Sequence, residues 1–468
     1  MRLDSLRRCK PDQVRGSAGD RTLSALGPHT DVEALPCRGY HGTPVFGCHA
    51  HFHRRRFSPT GLRRYGVWGQ RSPAGPSKAG PPIDGQQVSQ AMRVLTLGAF
   101  ERDNFGDTLF HEVTKNYLQD ADVTAGSIMA GRLSSGEPVV NYRKHLATER
   151  VDAIWVVGGE VGGVVLEDAL AMSLAGDARA EYLAQSPQVR RSRAEEQGFS
   201  DHRALAYLPE MGADGPQVVV NSVGLSALAR AEPDVVTRSL AALQHATAVH
   251  VRDVPSHEFL TAQGVTVSIG PDMVHAITGV PGYGPDDIAR PLPAPYALVQ
   301  INVNLVRHHT VKEVAHQVAT LAREADLDVV LFAAGVAPGH DSLGIYAAIA
   351  AAASRESGAR AIRVLTDRNV THLVHYVARA EMWVGTSLHG RVLAAAYAVP
   401  RISLENEKVS RYATTWDPAY AHGVDPANLA REALRGLTSF QRGASQATAT
   451  RLASQADAHS RRVREALS

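Results

Sequence analysis

The sequence predicts two α/β domains, each built on a doubly wound, Rossmann-like parallel sheet, that face one another across a cleft. The chain has 468 residues, which is too long for one ordinary hydrophobic core. From Arg93 onward, short aliphatic runs alternate with longer helical segments, and continuous apolar strands separated by helices are typical of parallel sheets covered on both faces. The segment Val280 to Pro295 has several Pro and Gly residues and no period, and it divides the alternation into two series.

Residues 1 to 92 differ in composition from the rest of the chain. They hold 14 Lys and Arg against 6 Asp and Glu, whereas the remainder holds 35 against 41. This leader is rich in Arg, Gly, Pro, Ser and His and has no sustained period, so we expect it to be disordered or mis-annotated. It ends at Met92, directly before the first clear strand, which makes Met92 a candidate natural start.

The three cysteines, Cys9, Cys37 and Cys48, all lie in the leader. Histidines near Cys37 and Cys48 are compatible with zinc, but no paired CxxC spacing accompanies them, and a solvated leader explains them better. We therefore predict that the protein has no metal site.

The charge and hydropathy patterns exclude several classes of protein. The basic balance belongs to the leader, so the body gives no indication of a nucleic-acid surface. No run approaches the roughly 18 apolar residues that span a bilayer, and no apolar secretory segment follows the N-terminus. We expect a cytoplasmic protein without a membrane span.

The first series, residues 93–285, is interpreted as an N-terminal domain on the acceptor side. Its predicted strands are Val94–Leu97, Ala153–Val157, Val218–Asn221, Ala248–Val251 and Val265–Ile269, with a helix near Thr108–Leu118 and a polar helical insertion over 173–215. Ligands of such sheets bind beyond the carboxyl ends of the strands. Functional residues are therefore expected in the loops that follow strands.

The second series, residues 286–425, is interpreted as a C-terminal domain on the donor side, and residues 426–468 as an amphipathic helical tail. The predicted strands are Tyr296–Val303, Val329–Phe332, Ala361–Leu365, Met382–Val384 and Ile402–Leu404, with helices at Val311–Ala325, Ser342–Ala353 and Leu388–Ala398. This repeats the pattern of the first series.

The most specific motif is GTSLHGR, residues 385–391, directly after a predicted strand. Ser387 is a natural N-cap for the following helix. His389 then falls in the first turn, where free N–H groups and the helix dipole favour an anion with which the histidine could exchange a proton. A capped helix with an incidental histidine explains the motif equally well.

Strand ends of the first domain carry further candidates. In NFGD, residues 104–107, Gly106 permits a turn and Asp107 is a natural N-cap. The glycines of the 158–160 loop allow close approach of a ligand, and Arg252 suits bidentate binding of carboxylate or phosphate. An ordinary turn explains each loop taken alone. The candidate binding residues here are Asn104, Gly106, Gly159, Glu160 and Arg252.

Charged residues also follow the last predicted strand, namely Glu405, Glu407, Lys408 and Arg411. Several charges at the mouth of an α/β cleft suit an anionic substrate. A solvated charged loop is equally common.

The ordered set NFGD, VVGGE, NSVG, VRDVPS, SIGPD and GTSLHGR, with a following VP and lysine, resembles the polysaccharide pyruvyltransferase family. The resemblance covers about Arg93 to Trp416. It implies a glycosyltransferase-B-like arrangement and a transferase of polysaccharide or cell-surface glycan biosynthesis. The implied reaction moves pyruvate from phosphoenolpyruvate, the donor substrate, onto two saccharide hydroxyls as a ketal, without a cofactor.

The resemblance also implies residue roles. His389 matches the catalytic histidine, Arg252 a donor-binding arginine and Lys408 the lysine that follows the last strand. Ser387 stands where many members have an arginine, so either Arg391 or Arg411 is expected to supply that charge. Independently of the resemblance, Asp107 is the next candidate for proton transfer if the proton does not come from His389.

Two other functions fit the same sequence. A nucleotide-sugar glycosyltransferase of this architecture would use the Glu405 and Glu407 loop to hold a ribose. A non-catalytic saccharide-binding relative would retain the fold without turnover, since fold does not guarantee activity.

Overall fold

The computed structural model describes residues 91–174, 176–212, 214–358 and 360–467. These residues belong to a compact unit that spans Gly85–Ser468, within which the strands form two separate sheets. The predictions for the leader up to residue 90, including the cysteine and histidine cluster, lie outside the described residues.

The first sheet has the strand order β3-β4-β2-β1-β5-β7-β8-β9, with β6 beside β7. Its pairs are parallel except for β3 against β4. The strands are β1 (Arg93–Leu97), β2 (Asp122–Ser127), β3 (Gly131–Arg132), β4 (Pro138–Asn141), β5 (Ala153–Val156), β6 (Gly159–Glu160), β7 (Gln217–Gly224), β8 (Ala248–Val251) and β9 (Ser268–Ile269). The helices are α1 (Phe105–Tyr117), α2 (Tyr142–Thr148), α3 (Leu166–Met172), α4 (Gly176–Ala184), α5 (Pro187–Glu196), α6 (Pro233–His245) and α7 (Val254–Ala262).

The second sheet is parallel throughout, with the order β12-β11-β10-β13-β14. Its strands are β10 (Tyr296–Gln300), β11 (Asp328–Phe332), β12 (Ile362–Leu365), β13 (Met382–Gly385) and β14 (Arg401–Ser403). Its helices are α8 (Val303–His308), α9 (Val311–Ala325), α10 (Leu343–Ala353), α11 (Val370–Ala378), α12 (Leu388–Ala396) and α13 (Glu407–Trp416). The predicted fold class, two doubly wound parallel sheets, is confirmed.

One prediction about a helix start is wrong. Helix α1 begins at Phe105, and its cap is Asn104, whose side chain accepts a hydrogen bond from the Gly106 N–H at 3.0 Å. Asp107, predicted as the cap, lies in the first turn instead. Both residue types cap helices well, so composition alone does not choose between them. The consequence is that the Asp107 carboxylate is not used as the cap.

The carboxyl ends of the two sheets meet. Asn104 and Gly335 form an isolated antiparallel bridge, in which the Phe105 N–H donates to the Ala334 carbonyl at 2.9 Å. Beneath it, the Phe105 ring packs edge-on against Phe332 at 5.4 Å between centroids. The loops that follow the strands of both sheets therefore lie together.

The tail forms α14 (Leu429–Thr438) and α15 (Arg442–Glu465). Helix α15 returns to the first sheet, where Ser460 accepts a hydrogen bond from Asn221 at 3.2 Å and Asp457 accepts one from Tyr117 at 3.1 Å. The chain therefore passes between the two sheets twice, once through residues 280–295 and once through this tail.

Candidate active site

The histidine of the GTSLHGR motif lies at the start of α12. Ser387 caps the helix by accepting a hydrogen bond from Gly390 N–H at 3.2 Å, as predicted. The preceding residue, Thr386, donates its N–H to Gln300 Oε1 at 2.8 Å, which fixes the loop to the end of β10. His389 is therefore held on a capped helix, and 7% of it is exposed.

The first turn of α1 forms one wall against this histidine. A Cβ atom added to Gly106 would lie 1.9 Å from His389 Nδ1, so a side chain at this position has no room. The Phe110 ring meets the imidazole edge-on at 4.7 Å between centroids. Gly158, with φ of +126°, lies behind Phe110 and leaves space for that ring. The NFGD and VVGGE loops thus shape the histidine environment.

A buried ion pair lies on the other side of His389. Arg252 Nη1 donates to Asp272 Oδ2 at 2.9 Å, and the two side chains are 1% and 0% exposed. His389 Nε2 is 3.6 Å from the same oxygen, which is an ion-pair distance but too long for a hydrogen bond. One carboxylate oxygen is therefore approached by both Arg252 and His389.

Two donors of this cluster lack a protein partner. Within the part of the chain that the structure describes, Arg252 Nη2 and His389 Nε2 are buried without a hydrogen-bond acceptor. Leaving a buried donor unsatisfied costs about 1–3 kcal/mol, and more for charged groups. An ordered water molecule or a bound ligand can satisfy such donors.

Neighbouring charges shift the pKa values of this cluster. Burial would raise the pKa of Asp272, but His389 and Arg252 outweigh it and hold the pKa well below its usual range. Burial would lower the pKa of Arg252, but Asp272 and Glu160 prevail and raise it. Both groups are therefore ionised at neutral pH.

Helix α13 covers the pair from the second sheet. The Tyr412 hydroxyl accepts a hydrogen bond from the Asp272 N–H at 2.9 Å, and Trp416 Nε1 donates to the Arg252 carbonyl at 2.9 Å. Lys408 lies four residues before Tyr412 and therefore on the same face of the helix. Its side chain is 40% exposed, yet burial first and Arg252 second lower its pKa.

Charged residues from both sheets lie around Lys408. Its Nζ is 3.9 Å from Glu160 Oε2. Arg411 Nη2 donates to Ser226 Oγ at 3.3 Å, and that hydroxyl donates to Glu160 Oε1 at 3.3 Å. The side chains of Glu160 and Arg411 are 27% and 32% exposed, so these residues are more accessible than Arg252, Asp272 and His389.

Asp107 lies beside this group in the first turn of α1. It is 7% exposed, and a Cβ on Gly159 would lie 3.8 Å from its Oδ1. Gly159 has φ of +89°, a conformation that favours glycine, so the loop passes close to the carboxylate. The candidate site thus brings together residues from six segments that follow strands, either in the loop or in the first turns of the next element. They are Asn104, Gly106, Asp107, Gly159, Glu160, Arg252, Asp272, Ser387, His389, Lys408 and Arg411.

Arg391 does not join them, and its assignment as a substrate-binding residue is corrected. Its guanidinium is 1% exposed and lies in a separate buried network, where it donates to Ser403 Oγ at 3.0 Å and its Nε is 3.0 Å from Asp417 Oδ2. An α-helix advances about 100° per residue, so Arg391 points about 200° away from His389. It therefore holds α12 to the loop around Asp417.

The sequence interpretation missed three residues of the cluster as site residues: Asp272, Phe110 and Tyr412. The spacing of Lys408, Tyr412 and Trp416 at four-residue intervals was a usable signal, because it puts them on one helix face. Asp272 is the last residue of the SIGPD motif, but no local pattern indicates that it pairs with Arg252.

Two further observations apply to the described ranges only. No group of three or more His, Cys, Asp or Glu residues there could hold a metal ion. No described helix is both long and apolar enough to cross a membrane.

Two parallel sheets with charged loops at their facing edges define an α/β protein with a candidate anion site. The sequence profile of polysaccharide pyruvyl transferase matches residues 104–408, which is well over half of the chain. The chain belongs to the polysaccharide pyruvyl transferase family, and this family indicates a transferase.

Solved structures similar to the chain include three nucleotide-sugar enzymes. A putative UDP-N-acetylglucosamine 2-epimerase from Listeria monocytogenes is 9% identical, with a TM-score of 0.46 over 80% of this chain and 94% of that one. The UDP-GlcNAc 2-epimerase from Methanocaldococcus jannaschii is 10% identical, with 0.46 over 75% and 92%. That from Neisseria meningitidis is 11% identical, with 0.46 over 80% and 99%. A comparison with curated protein sequences gives no match.

Proposed function

We propose that the protein transfers pyruvate from phosphoenolpyruvate onto two hydroxyls of a saccharide as a ketal, in the cytoplasm, during synthesis of a polysaccharide or cell-surface glycan. The observation that carries the proposal is the pair of buried donors without a protein partner, Arg252 Nη2 and His389 Nε2. Phosphoenolpyruvate offers a carboxylate and a phosphate, which are the acceptors that a guanidinium binds best.

The cations of the cleft suit the rest of this donor. Lys408 and Arg411 lie on the more exposed side, and together with Arg252 they bind the phosphate and the carboxylate of this donor. Arg411 then supplies the charge that Ser387 lacks, because Arg391 is held in a separate network. Fixed charges aimed at a departing phosphate stabilise the transition state.

The reaction needs an acid and a base, and we assign these roles to His389 and Asp107. His389 donates a proton to C3 of phosphoenolpyruvate as the C2–C3 π electrons form the new C–H bond, which leaves an oxocarbenium centre at C2. A saccharide hydroxyl attacks C2 and passes its proton to Asp107. The bond between C2 and the phosphate oxygen then breaks, its electron pair leaves with that oxygen, and Asp107 passes its proton to the departing phosphate, which regenerates an oxocarbenium centre at C2. The second hydroxyl attacks this centre and closes the ketal as its proton returns to His389.

The acceptor fits beside Asp107. Asn104, Gly106, Gly159 and Glu160 belong to loops of the first sheet that border this carboxylate, and Glu160 offers hydrogen bonds to a saccharide hydroxyl. The partners of the protein are therefore the saccharide and phosphoenolpyruvate, with no cofactor in the reaction.

Calorimetric titration of the whole chain with phosphoenolpyruvate tests the proposal. We expect binding by the wild type and a loss of about 1.5–3 kcal/mol in Arg252→Ala, the usual contribution of a hydrogen bond to a charged group. Arg431→Ala is the matched control, because its side chain is 70% exposed and pairs with the adjacent Glu432. Binding of UDP- or GDP-sugars without binding of phosphoenolpyruvate would reject the proposal in favour of a glycosyltransferase.

A non-catalytic saccharide-binding protein is distinguished by turnover. The proposal expects acceptor-dependent release of inorganic phosphate from phosphoenolpyruvate. Saccharide binding that survives His389→Ala, with no phosphate release by the wild type across a saccharide panel, would support the non-catalytic alternative.

A further inference from the structure

The carboxylate of Asp272 is the centre of the candidate site, although the sequence suggested no role for it in the reaction. It is fully buried, and its two oxygens are used differently. Oδ1 accepts the Val274 N–H at 3.0 Å, which caps the short 3-10 helix that follows. Oδ2 faces Arg252 at 2.9 Å and His389 at 3.6 Å.

We propose that Asp272 is a positioning residue that holds Arg252 and His389 in one arrangement while it lowers the affinity of the site for anions. The inference rests on the proposed function, because it concerns how that site treats its donor and the released phosphate.

The positioning half follows from the fixed position of Asp272. Its N–H donates to the Tyr412 hydroxyl at 2.9 Å, and the adjacent Met273 N–H donates to Ser222 Oγ at 2.8 Å. Ser222 itself has φ of +59°, an uncommon conformation for a residue with a side chain, and it lies where the register of β7 against β8 shifts. The carboxylate is thus fixed from both sheets, and it holds the Arg252 and His389 side chains in turn.

The affinity half follows from charge. Two unit charges about 4 Å apart, at the effective dielectric of a partly buried site, interact strongly enough to change a binding constant more than tenfold. Asp272 cancels most of the charge of Arg252 and repels an incoming anion. The protein therefore binds phosphate less tightly than an unpaired buried arginine would, which favours release of the phosphate product.

The positioning role and the effect on anion affinity predict opposite changes in one variant, namely slower turnover and tighter phosphate binding. Asp272→Asn keeps the size of the side chain and removes its charge. We expect inorganic phosphate to bind about tenfold more tightly, because Arg252 is no longer neutralised. We also expect turnover at saturating phosphoenolpyruvate to fall at least about tenfold, because the guanidinium and imidazole lose their common anchor. A residue that serves only to keep the fold intact would weaken binding and turnover together.

Asp328→Asn is the matched control. Asp328 is also a buried carboxylate, 7% exposed and 3.4 Å from an arginine, Arg363, but it lies at the amino end of β11, away from the cleft. The same change in net charge there should leave phosphate affinity and turnover unchanged. An equal rise in phosphate affinity in both variants would attribute the effect to overall charge and overturn the inference.

The experiment is calorimetric titration with inorganic phosphate, with turnover measured in parallel. Unchanged or weaker phosphate binding in Asp272→Asn overturns the inference even if the wild type uses phosphoenolpyruvate. Tighter phosphate binding with no use of phosphoenolpyruvate by the wild type supports the charge argument while the proposed donor fails. If the wild type binds neither inorganic phosphate nor phosphoenolpyruvate, both the inference about Asp272 and the proposed function are overturned.

A second variant covers failure of Asp272→Asn to fold, since removing one partner of a buried ion pair is often strongly destabilising. Asp272→Glu keeps the charge and moves the carboxylate by about one C–C bond. We expect Asp272→Glu to bind phosphate as tightly as the wild type does and to turn over more slowly. If this variant turns over as fast as the wild type, or binds phosphate more tightly, the inference is overturned.

Discussion

Gly106→Ala should disable the site with little change in its charges. Gly106 is the second residue of α1, and a Cβ there would lie 1.9 Å from His389 Nδ1 and 2.5 Å from Cγ. Non-bonded heavy atoms settle at about 3.5 Å, so the imidazole must move by about 1.5 Å. A misplacement of about 1 Å can cost about 100-fold in rate, and we expect turnover to fall by at least that factor.

The same variant should remain folded. Overpacking costs about 1–3 kcal/mol, and the better helix propensity of alanine returns up to about 1 kcal/mol. Urea unfolding gives this free energy, while acceptor-dependent phosphate release from phosphoenolpyruvate gives the turnover. A large loss of turnover with a small loss of stability is the expected combination.

Gly443→Ala is the matched control. Gly443 is likewise the second residue of its helix, α15, and a Cβ there meets no atom within 4 Å. It should leave turnover unchanged and stabilise the protein slightly. Normal turnover in Gly106→Ala would refute the reasoning, because it would mean that the position of His389 does not matter.

Three further predictions concern single residues. His389→Asn should lower turnover by about 10²–10⁴ and leave the melting temperature nearly unchanged, because His389 Nε2 has no hydrogen-bond partner among the described residues. A much lower melting temperature of the variant would identify His389 as a core residue instead. Arg391→Met should cost about 3–5 kcal/mol of unfolding free energy in urea with unchanged affinity for phosphoenolpyruvate, and weaker donor binding in a folded variant would restore Arg391 to the site. Burial raises the pKa of Asp341 to about 6, above its value of about 3.9 in an unfolded chain, so the folded state holds this proton more tightly. The stability from that proton is present below about pH 4 and is lost as pH rises through 6, an effect of about 2–3 kcal/mol. Unfolding free energies at pH 4.5 and 7 should show a smaller decrease in Asp341→Asn than in the wild type, and equal decreases would contradict the assignment.

The sequence was most informative where local rules decide the outcome. Strands such as Ala153–Val156 and Tyr296–Gln300 are continuous apolar runs, which indicate buried parallel strands. Ser387 lies between a strand and a helix with apolar periodicity, so its role as a cap followed directly. Because parallel strands end at one edge of a sheet, the loops that follow them could be grouped before any contact was known.

The sequence interpretation went wrong at the cap of α1 and at Arg391, and it missed the pairing of Arg252 with Asp272. Asn104 and Asp107 are both good caps, and the choice depends on the backbone bridge to Gly335, a contact between residues more than two hundred positions apart. Arg391 could have been excluded from the sequence, since two residues along a helix do not share a face. The pairing of Arg252 with Asp272 depends on how two loops fold against α13, which no local pattern specifies.

The return of α15 to the first sheet gives the two halves of the structure a second covalent connection. Residues 280–295 form the first connection and the stretch before Arg442 forms the second. Two connections restrict rotation of one half relative to the other more than a single linker would, which favours a constant position of Arg252 and Asp272 relative to His389. We therefore expect a chain that is cut before Arg442 to hold these residues in alignment less well.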